Sequence, residues 1–202
     1  KPNGQGLLTL DALIALAQSR GVSLYMEIKE SEYFAAPQPT RANPLDITGA
    51  LISVLNATGE AGRAAPFWVQ SDNADDLLRI KQATGNRTVF LTRNVGPDDV
   101  GLFPQFRQFA DVLGVPTTRA RRSLVQQAHA ADLGIHVWTL RGSRDAYRKA
   151  AAIGADGVIT DFPDLGVDVR ARQRGGDRPA GLTSRVENGN AVASWSAVAG
   201  SW

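Results

Sequence analysis

Apolar residues fall into short runs separated by longer stretches in which they recur every three or four positions. The runs are rich in β-branched and aromatic residues and begin near Val22, Phe67, Thr88, Asp111, Ile135 and Gly157. Short runs of that composition, bounded by turn residues, make buried strands. Between them the spacing changes to that of one helical face. Leu10, Leu13, Ile14 and Ala17 share such a face behind the capping residue Thr9, and Gly21 is placed to end the helix in a left-handed conformation. Asn43 and Pro44 predict the start of another helix, running to about Asn56. Asn73, with Asp76 three residues later, caps a third that ends at Gly85. Further helices fit 120–133, closed by Gly134, and 143–153, closed by Gly154.

The strands recur roughly every 20–25 residues, which is one short strand plus one crossover helix. Only the first interval is longer, and it carries an insertion rich in Pro and Ala. This alternation predicts a parallel α/β architecture. Six strand–helix units are visible and the chain opens on a helix, the pattern of a TIM-type (β/α)8 barrel lacking its first two strands. An open doubly wound sheet has the same alternation and is the structural alternative. Residues 1–168 are read as this partial barrel and 169–202 as a linker and tail. The linker, 170–181, is rich in Arg, Gly and Pro, and 192–198 alternates like a strand, either a tail or the first strand of an appended β domain.

Composition narrows the function classes. The chain has 202 residues, 43% apolar and 21% charged, enough for one substantial globular core. Its net charge of +2 is small and its 22 basic residues are spread out, so no nucleic-acid partner is expected. Without cysteine there is no disulfide framework and no thiolate metal site. No apolar run is long enough to cross a bilayer, and no basic-then-apolar leader precedes the first helix.

Reactive groups in parallel barrels sit at the C-terminal strand ends, where loops vary and the core holds the strands. There the chain offers Glu27 and Lys29, Gln70 and Ser71, Thr92, Pro116 and Thr117, Trp138 to Arg141, and Thr160 and Asp161. Glu27 and Lys29 point to one side of their strand and Ile28 to the other. Such a pair either ligates a hard cation and neutralises a phosphate oxygen, or forms an ordinary ion pair. Trp138 reads as a wall for a substrate carbon chain or as core, Arg141 as a phosphate grip, and Asp161 as a catalytic group or a cap. His129, inside a helix, and His136, at the start of a strand, read as structural or surface residues.

Four segments taken in order, EIK at 27–29, VQS at 69–71, HVWTLR at 136–141 and GADGVITDFPD at 154–164, resemble the glycerophosphodiester phosphodiesterase family, with a barrel like that of phospholipase C. The opening 8–13 is similar to the helix that precedes EIK in that family, and the insertion and TLR form resemble its periplasmic or secreted branch. The resemblance spans roughly 7–165. It implies hydrolysis of small-molecule glycerophosphodiesters to sn-glycerol 3-phosphate and an alcohol, with calcium or magnesium as cofactor. Glu27 would be a metal ligand, Lys29 catalytic, and Gln70, Trp138, Arg141 and Phe162 substrate-binding. The histidine-bearing HRG segment of the family is absent from these residues, so this chain alone is expected to be inactive and, with open strand edges, marginally stable or self-associating. A non-catalytic phosphoester-binding scaffold and a phospholipase D-like lyase acting on lysophospholipids are the alternatives.

Overall fold

The structure, a computed structural model, describes residues 6–40, 42–173, 183–187 and 190–194. Six strands form one sheet in chain order: β1 Leu24–Glu27, β2 Phe67–Ser71, β3 Arg87–Leu91, β4 Val112–Pro116, β5 Gly134–Leu140 and β6 Gly157–Thr160. Every neighbouring pair is parallel. Tyr25 Oη on β1 lies 2.8 Å from His136 Nδ1 on β5, although β2, β3 and β4 stand between them in the sheet. Only a strongly curled sheet brings those residues together. The fold is therefore a curled half-barrel of TIM type, not a doubly wound sheet.

Eight helices accompany the described strands: α1 Leu10–Arg20, α2 Ser31–Ala35, α3 Ile47–Ala57, α4 Ala74–Thr84, α5 Phe103–Phe109, α6 Arg122–Ala130, α7 Arg144–Ala152 and α8 Pro163–Gln173. The core lies between them and the convex face of the sheet. Phe67 and Val69 of β2 pack there with Ile14 of α1, Leu55 of α3 and Ile80 of α4. Farther round, Leu113, Val115, Ile135 and Val137 pack against Phe103, Leu124 and Tyr147. Because side chains alternate, Trp68, Gln70, Gly114 and His136 face the barrel axis. No helix among the described residues is long and apolar enough to cross a membrane.

Several boundaries move for local reasons. Val22 does not open β1, because its N–H donates to Ala17 O and completes the C-cap of α1 around left-handed Gly21. Asp46, not Asn43, caps α3: its carboxylate accepts from Gly49 N at 2.8 Å. Asn73 caps α4 as expected, but Asp76 turns away from the cap and accepts a hydrogen bond from Thr48 Oγ1. Gly134 begins β5 instead of closing α6, and Asp132, at φ +56°, supplies the left-handed turn. The last residues of α8 fall within the stretch read as linker, of which 174–181 lie outside the described residues. Beyond it β7 Thr183–Glu187 pairs antiparallel with β8 Asn190–Ser194. Of the strand expected at 192–198, residues 192–194 belong to β8 and the rest lie outside the described residues.

One glycine is demanded by close approach. A Cβ on Gly157 would stand 2.6 Å from His136 Cδ2, and His136 is pinned by Tyr25 and by the Trp68 ring 5.5 Å away. Gly157→Ala is expected to cost roughly 1–3 kcal/mol in urea denaturation, the usual penalty of overpacking. Gly101→Ala, where a Cβ meets open space, is the control. Equal stability of the two variants would refute the close-approach argument.

Candidate active site at the strand ends

Glu27 is the last residue of β1 and stands beside Gln70 of β2 in the ladder. Gln70 Nε2 donates to Glu27 Oε2 at 3.2 Å. Gln70 is 8% exposed, and its Oε1 is buried without a hydrogen-bond partner. Leaving such an acceptor unmet costs about 1–3 kcal/mol, and a donor or cation reaching the β1–β2 end would satisfy it. Ile28 is turned into the core, which leaves Lys29 on the side of Glu27, exposed. Among the described residues no ion pair joins Lys29 to Glu27, so the ordinary ion-pair reading is not what forms.

Across the mouth, the β5–β6 ladder slips between Val137 and Leu140. His136 and Trp138 face the axis, whereas Leu140, which unbroken alternation would also turn inward, is 1% exposed in the helix-facing core. The bulge thus allows an inward Trp138 and an outward Leu140 on one strand. Trp138 is half-buried and stands outside the two core clusters, with its Nε1 buried and without a hydrogen-bond partner. Arg93, just beyond β3, sets its guanidinium carbon 5.0 Å from the Trp138 ring centroid. The strand-end candidates stop at Thr92, one residue short of Arg93, although a cation following a strand end was the available signal.

Arg141 Nε lies 3.3 Å from Asp161 Oδ2, with the two side chains 77% and 57% exposed. An ion pair so exposed is worth little and leaves Arg141 free to exchange partners. Asp161 does not cap the following turn, since Thr160 Oγ1 accepts from Phe162 N at 3.0 Å. Phe162 is exposed at the rim, its carbonyl accepting from Tyr147 Oη at 2.8 Å. At the strand ends the expected residues fall into three groups, Glu27 with Gln70, Trp138 against the unexpected Arg93, and Arg141 with Asp161 beside Phe162. Lys29 stands near the first.

Neither histidine belongs to the rim. His136 is half-buried against Tyr25 and Trp68, and its desolvation pushes its pKa down to about 4 against the opposing pull of Asp156, so it is neutral at pH 7. His129 Nε2 pairs with Asp156 Oδ2 at 2.8 Å on α6. A cavity of about 510 Å³ opens at this opposite end of the strands, among Tyr25, Trp68, Arg87, Asp111 and His136. Its polar groups are engaged with one another, as Arg87 is over Trp68. It is the floor of the half-barrel.

A hard divalent cation takes six or more oxygen ligands. Among the described residues no three His, Cys, Asp or Glu side chains gather into a metal-binding group. Glu27 and the orphaned Gln70 Oε1 fit one edge of such a shell and do not make a site alone.

Comparisons with known proteins agree with this fold. The model of the glycerophosphoryl diester phosphodiesterase family matches residues 1–165. YhdW of Bacillus subtilis, named as a candidate glycerophosphodiester phosphodiesterase, is 33% identical over 79 residues, which is 39% of this chain and 32% of that protein. A phosphodiesterase of Oleispira antarctica, solved in complex with the product sn-glycerol-3-phosphate, superposes at TM-score 0.65 and 16% identity over 80% of this chain and 60% of its own. A glycerophosphodiester phosphodiesterase of Parabacteroides distasonis gives 0.61 and 15% over 85% and 68%. The chain thus spans about a third of the curated relative, and the structures, at such identities, speak to the fold. With the family match extending over most of its length, the chain belongs to the glycerophosphoryl diester phosphodiesterase family.

Proposed function

We propose that this chain supplies part of the active site of a metal-dependent glycerophosphodiester phosphodiesterase. In the reaction, water delivers a hydroxyl to phosphorus, the P–O bond to the alcohol breaks, and the alcohol leaves with a proton. The products are sn-glycerol 3-phosphate and the free alcohol. The carrying observation is the Glu27–Gln70 pair, an acidic group beside an unmet buried acceptor at the strand ends, with the exposed Lys29 ammonium next to it. Lys29 neutralises a phosphate oxygen, Trp138 and Phe162 wall the substrate, and Arg141 exchanges Asp161 for phosphate. Calcium or magnesium, when bound, would polarise the phosphodiester, with Glu27 as one of several ligands. Both histidines of this chain are engaged away from the rim, which supports the reading that the 202-residue chain is inactive by itself.

The test is to assay the full-length gene product and the 202-residue chain side by side on glycerophosphodiesters, with calcium, magnesium or EDTA. Release of sn-glycerol 3-phosphate by the former, abolished by EDTA, and none by the latter is the expected result. A full-length product with no turnover would overturn the reading and favour a phosphoester-binding scaffold.

A further inference from the structure

The alcohol is the variable half of a glycerophosphodiester, and what meets it at the rim decides which alcohols are accepted. Discrimination among alcohols presupposes the phosphodiesterase reading and concerns its substrate class. A half-buried indole facing the mouth would ordinarily welcome a quaternary ammonium group on its open face, since the face of Trp is the best aromatic partner for a cation. Here a cation already occupies that position, the Arg93 guanidinium 5.0 Å from the Trp138 centroid. The ring also backs onto bare backbone at Gly114, where a Cβ would stand 3.5 Å from Trp138 Cδ1 and Nε1 and 2.8 Å from Leu91 Cδ2. Trp138 thereby lies between the β4 backbone and the positive charge of Arg93. Among the described residues no carboxylate forms an ion pair with Arg93, so its charge is not compensated. A trimethylammonium group brought to Trp138 meets repulsion at close range, whereas a hydroxyl group meets the N–H donors of Arg93.

We infer that Arg93, acting through Trp138, makes the site discriminate against cationic alcohols, so that glycerophosphodiesters of uncharged polyols such as glycerol are the preferred substrates. Arg93 is a specificity-determining residue in this scheme, meeting the alcohol and not the reacting phosphorus. The full-length protein should therefore hydrolyse glycerophosphoglycerol with a kcat/KM about tenfold above that for glycerophosphocholine, the discrimination of one close unlike or like charge. In Arg93→Gln the ratio should fall to about two, chiefly through a lower KM for the choline compound, while Arg93→Lys keeps it. Titration of wild type and Arg93→Gln with glycerophosphocholine in EDTA reads the same repulsion without turnover, and the variant should bind more tightly. A wild-type preference for glycerophosphocholine, or a ratio and affinity unmoved in Arg93→Gln, would overturn the inference. Loss of turnover on every substrate, by contrast, would count against the phosphodiesterase reading itself.

Discussion

Asp111→Ala is expected to remove about 3 kcal/mol of folding stability, enough to lower the melting temperature by roughly 10 °C in a chain of this size. Asp111 lies just before β4, is 7% exposed, and accepts from Thr88 N at 3.0 Å, Arg63 Nη1 at 2.8 Å and Lys81 Nζ at 3.2 Å, with Arg107 Nη1 at 3.6 Å. Its backbone also joins three strands, donating to Thr88 O and accepting from Gly134 N. Alanine keeps the backbone bonds but strands the fully buried Thr88 N–H and leaves Lys81 without its counter-charge. Arg63, 65% exposed on its side chain, returns to water at little cost, so most of the loss comes from the other partners. Asp111→Asn, which keeps an acceptor for Thr88, should lose about half as much. Burial alone would push the Asp111 carboxyl up, but the Arg63 hydrogen bond, the Thr88 N–H and the charge of Lys81 outweigh it and hold the carboxyl below its usual range. A depressed carboxyl stabilises the fold fully above its unfolded pKa and loses that contribution as pH falls through the folded value. The gap between wild type and Asp111→Asn should therefore be flat near neutrality and narrow only in strong acid. Urea titrations showing a gap under about 1 kcal/mol for Asp111→Ala would mean that the cluster is a surface ornament.

In the full-length protein, Glu27→Gln should lower kcat/KM by about 100-fold or more and raise the metal concentration needed for half-maximal rate, as expected when one charged ligand of a catalytic cation becomes neutral. Lys29→Met should lower kcat/KM by a comparable factor, about 100-fold, without shifting the metal requirement, because an ammonium serves the phosphate and not the cation. Both side chains are exposed at a strand end, so neither change should move the melting temperature by more than a degree or two. The split in metal dependence separates the two roles. Full activity of Glu27→Gln, or an equal metal shift in both variants, would take Glu27 out of the position proposed for it.

The six strands were legible because each is a short apolar run and parallel strands are buried on both faces, a signal that needs no knowledge of partners. Errors fell where a single hydrogen bond decides an end. Nothing in the sequence says that Val22 N–H serves the cap of α1, or that Asp46 outcompetes Asn43 for the start of α3. Gly134 looks like a helix terminator because glycine usually is one, yet Asp132 takes the left-handed position and frees Gly134 to pair with Val112. At the site, the strand-end rule selected Glu27, Gln70, Trp138 and Arg141; alternation gives the inward position of the first three, whereas that of Arg141 depends on the slip in β5. Arg93 escaped it because contact with Trp138 spans β3 to β5, a distance closed by curvature alone.

The slip in the β5–β6 ladder also constrains how this family member can vary in length. Loops between strand and helix absorb insertions at small entropic cost, and the long stretch between β1 and β2 shows one accommodated. The segment 136–140 cannot do the same. Removing the extra residue at the slip, Thr139, would restore plain alternation with Trp138 still inward and Leu140 still outward, whereas removing Val137 would carry Trp138 into the helix layer. Point changes in this segment retune the mouth, whereas a frame-preserving deletion of a single codon keeps its faces only at the slip itself.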